Sequence, residues 1–345
     1  MRRLARAVVR RARQLGEDWA LYRTEWEAER ELERIATRGR VLVAGPWLSE
    51  VGYETLYWIP FLRWVQAAFR VDPGRVVAVS RGGVSSWYEG IAGRYVEIWD
   101  EIEPAEYARR NAERGATKQL ERSPLDRDVL AAVARRLGSD AFDVLHPSLM
   151  YRLFGLFWSG HRAMGFMDAH TRYARVRPPQ VVDPAVLPKE YVAVKFYEAR
   201  SLPGTPEIRR AVSALVAGIA ARTPVVLLDT GLVLDEHADY DLRGACVTSA
   251  RPLMTPRTNL AVQTQIIAGA TAFAGTCGSL AWLAPMLGVD TSAMLVDTKW
   301  LHAHLAVAMR AYHRLDAGRF AVADLRALDP IQARSPGPRA QSPAS

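Results

Sequence analysis

Two glutamates flank a glycine in the segment 45–60, which follows a short β-rich run and leads into a helical pattern. They are Glu50 and Glu54, with Gly52 and Tyr53 between them. Glycine allows a ligand close to the backbone, and a following helix offers free N–H groups to an anion. A carboxylate at such a turn is either a helix cap or, in an apolar cleft that raises its pKa, a general base. Both interpretations stay open, and either glutamate is a candidate base.

Two cations lie at the end of a later candidate strand, in the segment 194–201. Lys195 interrupts an otherwise apolar run, and a buried cation needs a partner. Together with Arg200 it would suit a diphosphate. The alternative is a pair of ordinary surface cations that contact Glu198 or Glu207.

A third pattern, at 274–283, is a strand followed by a Gly-rich turn and a helix. Small residues occupy the turn, namely Thr276, Cys277, Gly278 and Ser279. Their hydroxyl and N–H groups would form an anion cradle at the start of the helix. A tight turn with Ser279 as the helix N-cap is the alternative.

Two further patterns resemble known sites. Cys277 lies in Gly-Thr-Cys-Gly-Ser, which resembles a nucleophile elbow, and Asp297 and His302 follow in the order of a hydrolase triad. The spacing is short, however, and the second Gly of that motif is a Ser. Asp239 and Asp241 form an Asp-x-Asp pair in a loop whose turn residues favour solvated acids. The sequence therefore predicts no metal site.

The net charge of +8 belongs to the two ends of the chain. Residues 1–13 hold six arginines and no acid, and residues 331–345 hold two arginines and no acid. The body between them is neutral, which argues against a nucleic-acid groove. Only two cysteines occur, and the N-terminus lacks the apolar core of a secretory signal. A reducing, cytoplasmic location is expected.

The first forty residues repeat apolar side chains at helical spacing and predict an amphipathic helical extension, 1–40. Its basic front and following aromatic residues suit a helix on an anionic membrane surface, contacted through residues 1–26. A helix packed on the protein with one solvated face is the alternative.

From residue 41 onward, short β-rich runs alternate with helical patterns, which predicts parallel strands joined by crossover helices. A Pro-rich stretch near 177–188 interrupts the alternation, which then restarts. We predict α/β units at 41–185 and 186–330 and a disordered tail at 331–345. The expected strands lie at 40–45, 75–80, 94–99, 143–146, 191–197, 224–229, 245–248, 270–274 and 292–296. Because ligands bind at the carboxyl ends of such strands, a cleft between the two units should hold the site.

These features resemble the GT-B glycosyltransferases, which have two Rossmann-like domains facing a cleft. The likeness is greatest to the heptosyltransferase and fucosyltransferase branches. The segment 267–288 is similar to the part of those enzymes that holds the donor diphosphate. The resemblance to the family covers residues 41 to about 310 in architecture, but in sequence it is limited to the loops. Two other GT-B-shaped enzymes, a polysaccharide pyruvyltransferase and a sugar-nucleotide epimerase, remain alternatives, as does a non-catalytic glycan-binding or membrane-assembly module.

The resemblance implies an inverting transfer from a nucleotide-sugar to a glycan or lipid-linked acceptor, with no cofactor and no metal. Glu54, or failing that Glu50, would accept the proton of the acceptor hydroxyl. The first loop departs from heptosyltransferases in carrying Glu where those enzymes have Asp. The implied substrate-binding residues are Gly52, Tyr53, Lys195, Arg200, Asn259, Gln263, Thr276, Cys277, Gly278 and Ser279. A peripheral position on the inner face of the cell membrane would bring the enzyme to its acceptor.

Overall fold

The computed structural model describes residues 2–115, 118–232, 234 and 237–327, with the backbone alone for residues 2–18. The predicted tail at 331–345 lies outside the described residues. None of the described helices is long and apolar enough to span a membrane. The chain forms two separate parallel sheets flanked by helices, so the predicted α/β fold with two Rossmann-like units is confirmed.

The first sheet has four parallel strands in the order β3-β2-β1-β4. Its central strand β2 is buried at every position, as expected for a strand covered on both faces. The strands are β1 (Val41–Ala44), β2 (Val76–Ser80), β3 (Arg94–Glu97) and β4 (Phe142–Leu145). The helices of this half are α1 (Arg2–Thr37), α2 (Val51–Tyr53), α3 (Ile59–Phe69), α4 (Pro104–Arg114), α5 (Pro124–Leu137), α6 (Pro147–Trp158) and α7 (Met164–His170). A π-helical turn, Glu54–Trp58, joins α2 to α3.

The second sheet has six parallel strands in the order β10-β9-β8-β5-β6-β7. They are β5 (Val192–Lys195), β6 (Val225–Leu227), β7 (Val247–Ser249), β8 (Ala272–Thr276), β9 (Thr291–Leu295) and β10 (Phe320–Asp324). The helices of this half are α8 (Pro206–Ala220), α9 (Asn259–Gly269), α10 (Leu280–Leu283) and α11 (His302–Leu315).

Three of these elements do not follow from the sequence pattern: helices α6 and α7 and the edge strand β10. The sequence of α6 is apolar nearly all round, and most of its residues are buried, so it lacks the one-sided spacing that identifies a surface helix.

The last helix, α11, forms ion pairs with the first half. Arg310 and Arg314 of α11 both form ion pairs with Asp168 of α7 in the first half. One hydrophobic core also runs through both halves, with Trp58 on one side and Trp282 on the other. The loops at the ends of the two sheets are therefore held at a fixed separation.

The N-terminal helix α1 has two different parts. Towards its C-terminus, Leu32 and Ile35 are buried against the first half. Towards its N-terminus, Trp19, Tyr22 and Trp26 are 68%, 55% and 46% exposed. Packing on the protein therefore explains the apolar residues in the last turns of α1. It does not explain the exposed aromatic residues Trp19, Tyr22 and Trp26, which we call the aromatic front of α1.

Candidate active site

A cleft of about 690 Å³ lies between the two halves. Its walls include the loops that follow β1 in the first half and β5, β6 and β8 in the second, together with the first turns of α9 and α11. Most of the predicted site residues line it: Glu50, Gly52, Tyr53, Lys195, Arg200, Asn259, Gln263, Cys277, Gly278 and Ser279. Glu54 and Thr276 are not among the lining residues.

The two halves also approach each other closely at Gly52. A Cβ at this position would lie 2.8 Å from the backbone nitrogen of Ser279 and 2.9 Å from Cδ1 of Trp282. Real Cβ atoms do not approach other atoms so closely, so only glycine lets the turn at the start of α2 meet the turn after β8. The carboxylate of Glu50 and the hydroxyl of Tyr53 thereby come to the same cleft as Gly278.

The two candidate bases have different environments. Glu50 is half-buried, precedes α2 with an extended backbone and lines the cleft. Glu54 is 0% exposed and lies in the π-helical turn behind the cleft wall. A base must reach the proton that it removes, so this structure favours Glu50 and disfavours Glu54.

Glu54 instead belongs to a buried hydrogen-bond cluster. Its Oε1 accepts bonds from the hydroxyls of Ser80 (2.5 Å) and Tyr88 (2.6 Å). Its Oε2 has no hydrogen-bond partner in the described part of the chain. Burial raises the pKa of Glu54 to about 7, although Arg81 and both hydroxyls oppose that change. Ionising this carboxyl inside the core costs free energy, and its position keeps it from reaching a substrate in the cleft. Glu54 is therefore a core group in this structure and not a base of the cleft.

The two cations of the second half are held differently. Lys195 Nζ forms a 2.6 Å ion pair with Asp239, whose other carboxylate oxygen accepts the N–H of Thr230. The partner that this semi-buried lysine requires is therefore a carboxylate of the same chain. Arg200 stacks on the ring of Trp300 at 5.6 Å, with no carboxylate in ion-pair range among the described residues. Of the two, Arg200 is the more available to an anion.

The turn after β8 presents backbone donors. Gly278 has φ +137° and Ser279 has φ +43°, a strained conformation for a residue with a side chain. Within the described part of the chain, the N–H groups of Gly278, Ser279 and Leu280 form no hydrogen bond. Three consecutive free donors in a concave turn are an anion-binding arrangement. They belong to the turn itself, since α10 spans only Leu280–Leu283.

Thr276 and Cys277 have structural roles. Thr276 Oγ1 donates to the carbonyl of Tyr197 and accepts its N–H, both at 2.9 Å, which joins the ends of β5 and β8. The expectation that Thr276 faces a ligand is therefore not met in this structure. Cys277 touches the cleft but is 2% exposed, and burial raises the pKa of its thiol to about 12. A thiol held protonated is a poor nucleophile, which disfavours the hydrolase alternative.

Asn259 and Gln263 lie one turn apart on α9 and both line the cleft. Gln263 Nε2 donates to the carbonyl of Asn259, while its Oε1 is buried without a hydrogen-bond partner in the described chain. A buried acceptor at a cleft wall is the kind of group that a ligand N–H or O–H satisfies. The aspartates of the Asp-x-Asp pair do not converge, because Asp239 binds Lys195 whereas Asp241 binds Arg243. The described residues contain no metal-binding cluster.

Sequence reasoning missed His304 and Lys118. His304 lies in the first turn of α11 and bonds to the hydroxyls of Tyr53 (3.0 Å) and Tyr57 (2.5 Å). Burial, and then the charge of Lys118, lower the pKa of His304 to about 4, so its ring is neutral at pH 7. Lys118 Nζ lies 5.1 Å from the centre of the Tyr53 ring. Nothing in the sequence pattern identifies either residue, because only the crossing of α11 brings His304 to the cleft.

No family model matches this chain, and no curated protein matches it. Its fold is similar to three solved glycosyltransferases. ADP-heptose LPS heptosyltransferase II of E. coli is 12% identical with a TM-score of 0.42, over 74% of this chain and 84% of that one. A family 9 glycosyltransferase of Veillonella parvula is 11% identical with a TM-score of 0.39, over 75% and 81%. TibC, an iron-containing dodecameric glycosyltransferase of enterotoxigenic E. coli, is 11% identical with a TM-score of 0.40, over 74% and 57%.

The matched part of this chain spans little more than half the length of TibC. At these identities and TM-scores the likeness concerns the outline of the fold. The activity of this chain is therefore inferred from the geometry of its own cleft.

Proposed function

We propose that this chain is an inverting, metal-independent glycosyltransferase, which moves a sugar from a nucleotide-sugar to a hydroxyl of a glycan or glycolipid. One observation supports this most strongly. The free N–H groups of the turn after β8 and the carboxylate of Glu50 border one cleft, and they come from opposite halves of the chain. Such a cleft has room for a charged leaving group on one side and a base on the other.

The proposed donor side is the second half. The diphosphate would accept hydrogen bonds from the backbone of Gly278 and Ser279, and Arg200 would supply positive charge from the rim. Asn259 and Gln263 would meet polar groups of the nucleoside or the sugar. Departure of a nucleoside diphosphate develops negative charge, which fixed backbone donors and a guanidinium stabilise without rearranging. Lys195 contributes less, because Asp239 balances its charge.

The proposed acceptor side is the first half, and Glu50 is its base. The carboxylate would accept the proton of the acceptor hydroxyl while the oxygen forms its bond to the anomeric carbon. The bond from that carbon to the diphosphate oxygen breaks, and the nucleoside diphosphate leaves with the electron pair. Attack from the face opposite the leaving group inverts the anomeric centre, so a single base suffices.

The donor side is tested by a thermal-shift screen of UDP-, GDP-, ADP- and CDP-sugars, each run with and without EDTA. We expect one nucleotide class to raise the Tm by several degrees, equally in both conditions, because binding to the folded state adds stability by mass action. A shift that EDTA abolishes would contradict metal independence, and no shift with any nucleotide would contradict the donor site. Analysis of the products then separates transfer from pyruvyl transfer or epimerisation, neither of which makes a glycosidic bond.

We further propose that the front of α1 binds an anionic membrane surface, where a lipid-linked acceptor resides. Trp19, Tyr22 and Trp26 are exposed, and the preceding residues 1–13 carry six arginines and no acid. Aromatic residues partition into the headgroup region, and arginines are attracted to anionic lipid. This would place the enzyme at the inner face of the cell membrane.

Vesicle binding tests that surface. We expect co-sedimentation with phosphatidylglycerol vesicles but not with phosphatidylcholine vesicles, and a roughly tenfold loss when all three aromatic residues are changed to Ser. Val186→Ser removes an exposed apolar side chain elsewhere and should leave binding unchanged. Equal binding by the triple variant would exclude the aromatic front as the contact.

A further inference from the structure

Tyr53 and Tyr57 of the first half and His304 of the second form a continuous series of hydrogen bonds at the cleft. Tyr57 OH lies 2.5 Å from Nδ1 of His304, and Tyr53 OH lies 3.0 Å from Nε2. The two tyrosines are four residues apart at the junction of α2 and the π-helical turn, whereas His304 comes from α11. These hydrogen bonds therefore link the segment that carries Glu50 to the last helix, α11.

The direction of these hydrogen bonds follows from Tyr57. Its side chain is 1% exposed, and burial raises its pKa well above the ordinary value, so its hydroxyl keeps its proton. Each tyrosine hydroxyl has one His304 nitrogen within hydrogen-bond distance, but Tyr57 is fully buried whereas Tyr53 is half-buried at the cleft, so among the described residues it is Tyr57 that depends on His304 as its acceptor. Tyr57 therefore donates to Nδ1. A neutral imidazole has one donor and one acceptor nitrogen, so Nε2 of His304 carries the hydrogen.

The remaining bond then runs from His304 to Tyr53. Nε2–H donates to the Tyr53 oxygen, which leaves the hydrogen of that hydroxyl for another acceptor. Burial and the nearby Glu50 carboxylate both raise the pKa of Tyr53, so the phenol stays protonated. A hydroxyl that accepts one hydrogen bond becomes a stronger donor in the next. Tyr53 lines the cleft, and its chain neighbour Gly52 touches the turn at Ser279.

We propose that His304 is a positioning residue which makes Tyr53 a hydrogen-bond donor to an oxygen of the bound substrate. The oxygen belongs either to the donor diphosphate or to a saccharide hydroxyl or ring. The inference rests on the proposed function only for the identity of that substrate. The tautomer of His304 is a property of the protein alone and is tested without any ligand.

The first test is the tautomer itself, read from the ¹⁵N chemical shifts of the His304 ring at pH 7, with the resonances assigned by their absence in His304→Gln. We expect a protonated Nε2 and an unprotonated Nδ1 in the wild type and in Tyr53→Phe. In Tyr57→Phe the donor to Nδ1 is gone, and both tautomers should become populated. A protonated Nδ1 in the wild-type protein would overturn the inference, whatever the enzyme proves to do.

The second test measures what Tyr53 does to ligands. UDP, GDP, ADP and CDP are titrated calorimetrically into the wild type and Tyr53→Phe, and turnover is measured with the nucleotide-sugar found in the thermal-shift screen. A loss of about tenfold in nucleoside diphosphate affinity assigns the oxygen to the diphosphate. Unchanged affinity with about tenfold lower kcat/KM assigns it to the saccharide. Unchanged affinity and unchanged turnover would overturn the proposal.

Conservative variants of His304 distinguish positioning from simple packing. The amide nitrogen of a glutamine reaches roughly the place of Nε2, whereas that of an asparagine corresponds to Nδ1. We therefore expect His304→Gln to keep most of the turnover and His304→Asn and His304→Leu to lose it to the extent that Tyr53→Phe does. His302→Gln, on the exposed side of the same turn, is the control. Equal losses in the Gln, Asn and Leu variants, with equal Tm values, would contradict a role through Nε2–H.

Discussion

At the scale of single residues, burial separates the two glutamates of the first loop. Both occupy one short segment, and nothing in its sequence distinguishes a cleft carboxylate from a core carboxyl. The π-helical turn rotates Glu54 into the interior, where Ser80 and Tyr88 hold one oxygen and nothing described holds the other. Glu50 stays at the cleft surface. The sequence could therefore propose the pair, but only the backbone path of residues 50–58 decides between them.

Glu54 should make the protein less stable as the pH rises. Its folded pKa of about 7 lies above the ordinary value of 4.5, so the folded state binds the extra proton between these values. The stabilisation is complete below about pH 4.5 and is lost by about pH 7, a change of roughly 3 kcal/mol. Urea unfolding at pH 5 and pH 8 should show this loss in the wild type and not in Glu54→Gln. The same pH dependence in both proteins would contradict the assignment.

At the scale of elements, close contact of two turns creates the cleft. The central strands of both sheets were predictable because short β-rich runs precede Gly- or Ser-containing loops. The turn after β8 was also predictable from its run of small residues. The partners of the site side chains were not predictable, because they lie far apart in the sequence. Lys195 pairs with Asp239, which is 44 residues away, and Tyr53 bonds to His304, which is 251 residues away. Local spacing carries no information about such pairs, and the crossing of α11 was not apparent from the pattern.

Gly52→Ala should separate the two turns. A methyl group would lie 2.8 Å from the Ser279 nitrogen, and a well-packed contact relieves such overlap at a cost of about 1–3 kcal/mol. We expect a lower free energy of unfolding and at least a tenfold lower kcat/KM, because Glu50 and Gly278 move apart. Gly155→Ala in α6, where an added Cβ meets nothing within 4 Å, should instead be neutral or stabilising by up to about 1 kcal/mol. Wild-type turnover in Gly52→Ala would show that the contact is dispensable.

At the scale of the whole molecule, two Rossmann-like halves share one core, and α11 fastens the second half to the first. This arrangement places groups from distant parts of the sequence around one cleft. The boundaries near residues 41 and 186 remain predictions. The six arginines of residues 1–13 precede the first half in the sequence, and their proposed partner is a surface rather than the cleft.

The central claim is that Glu50, contributed by the first half, activates an acceptor for a donor held by the second. Its most direct test compares turnover and nucleotide affinity in Glu50→Gln and Glu54→Gln, with the nucleotide-sugar identified by thermal shift. We predict that Glu50→Gln binds the nucleotide as the wild type does and loses turnover by a factor of about 10² to 10⁴. Glu54→Gln should retain turnover. Undiminished product formation by Glu50→Gln would contradict the account.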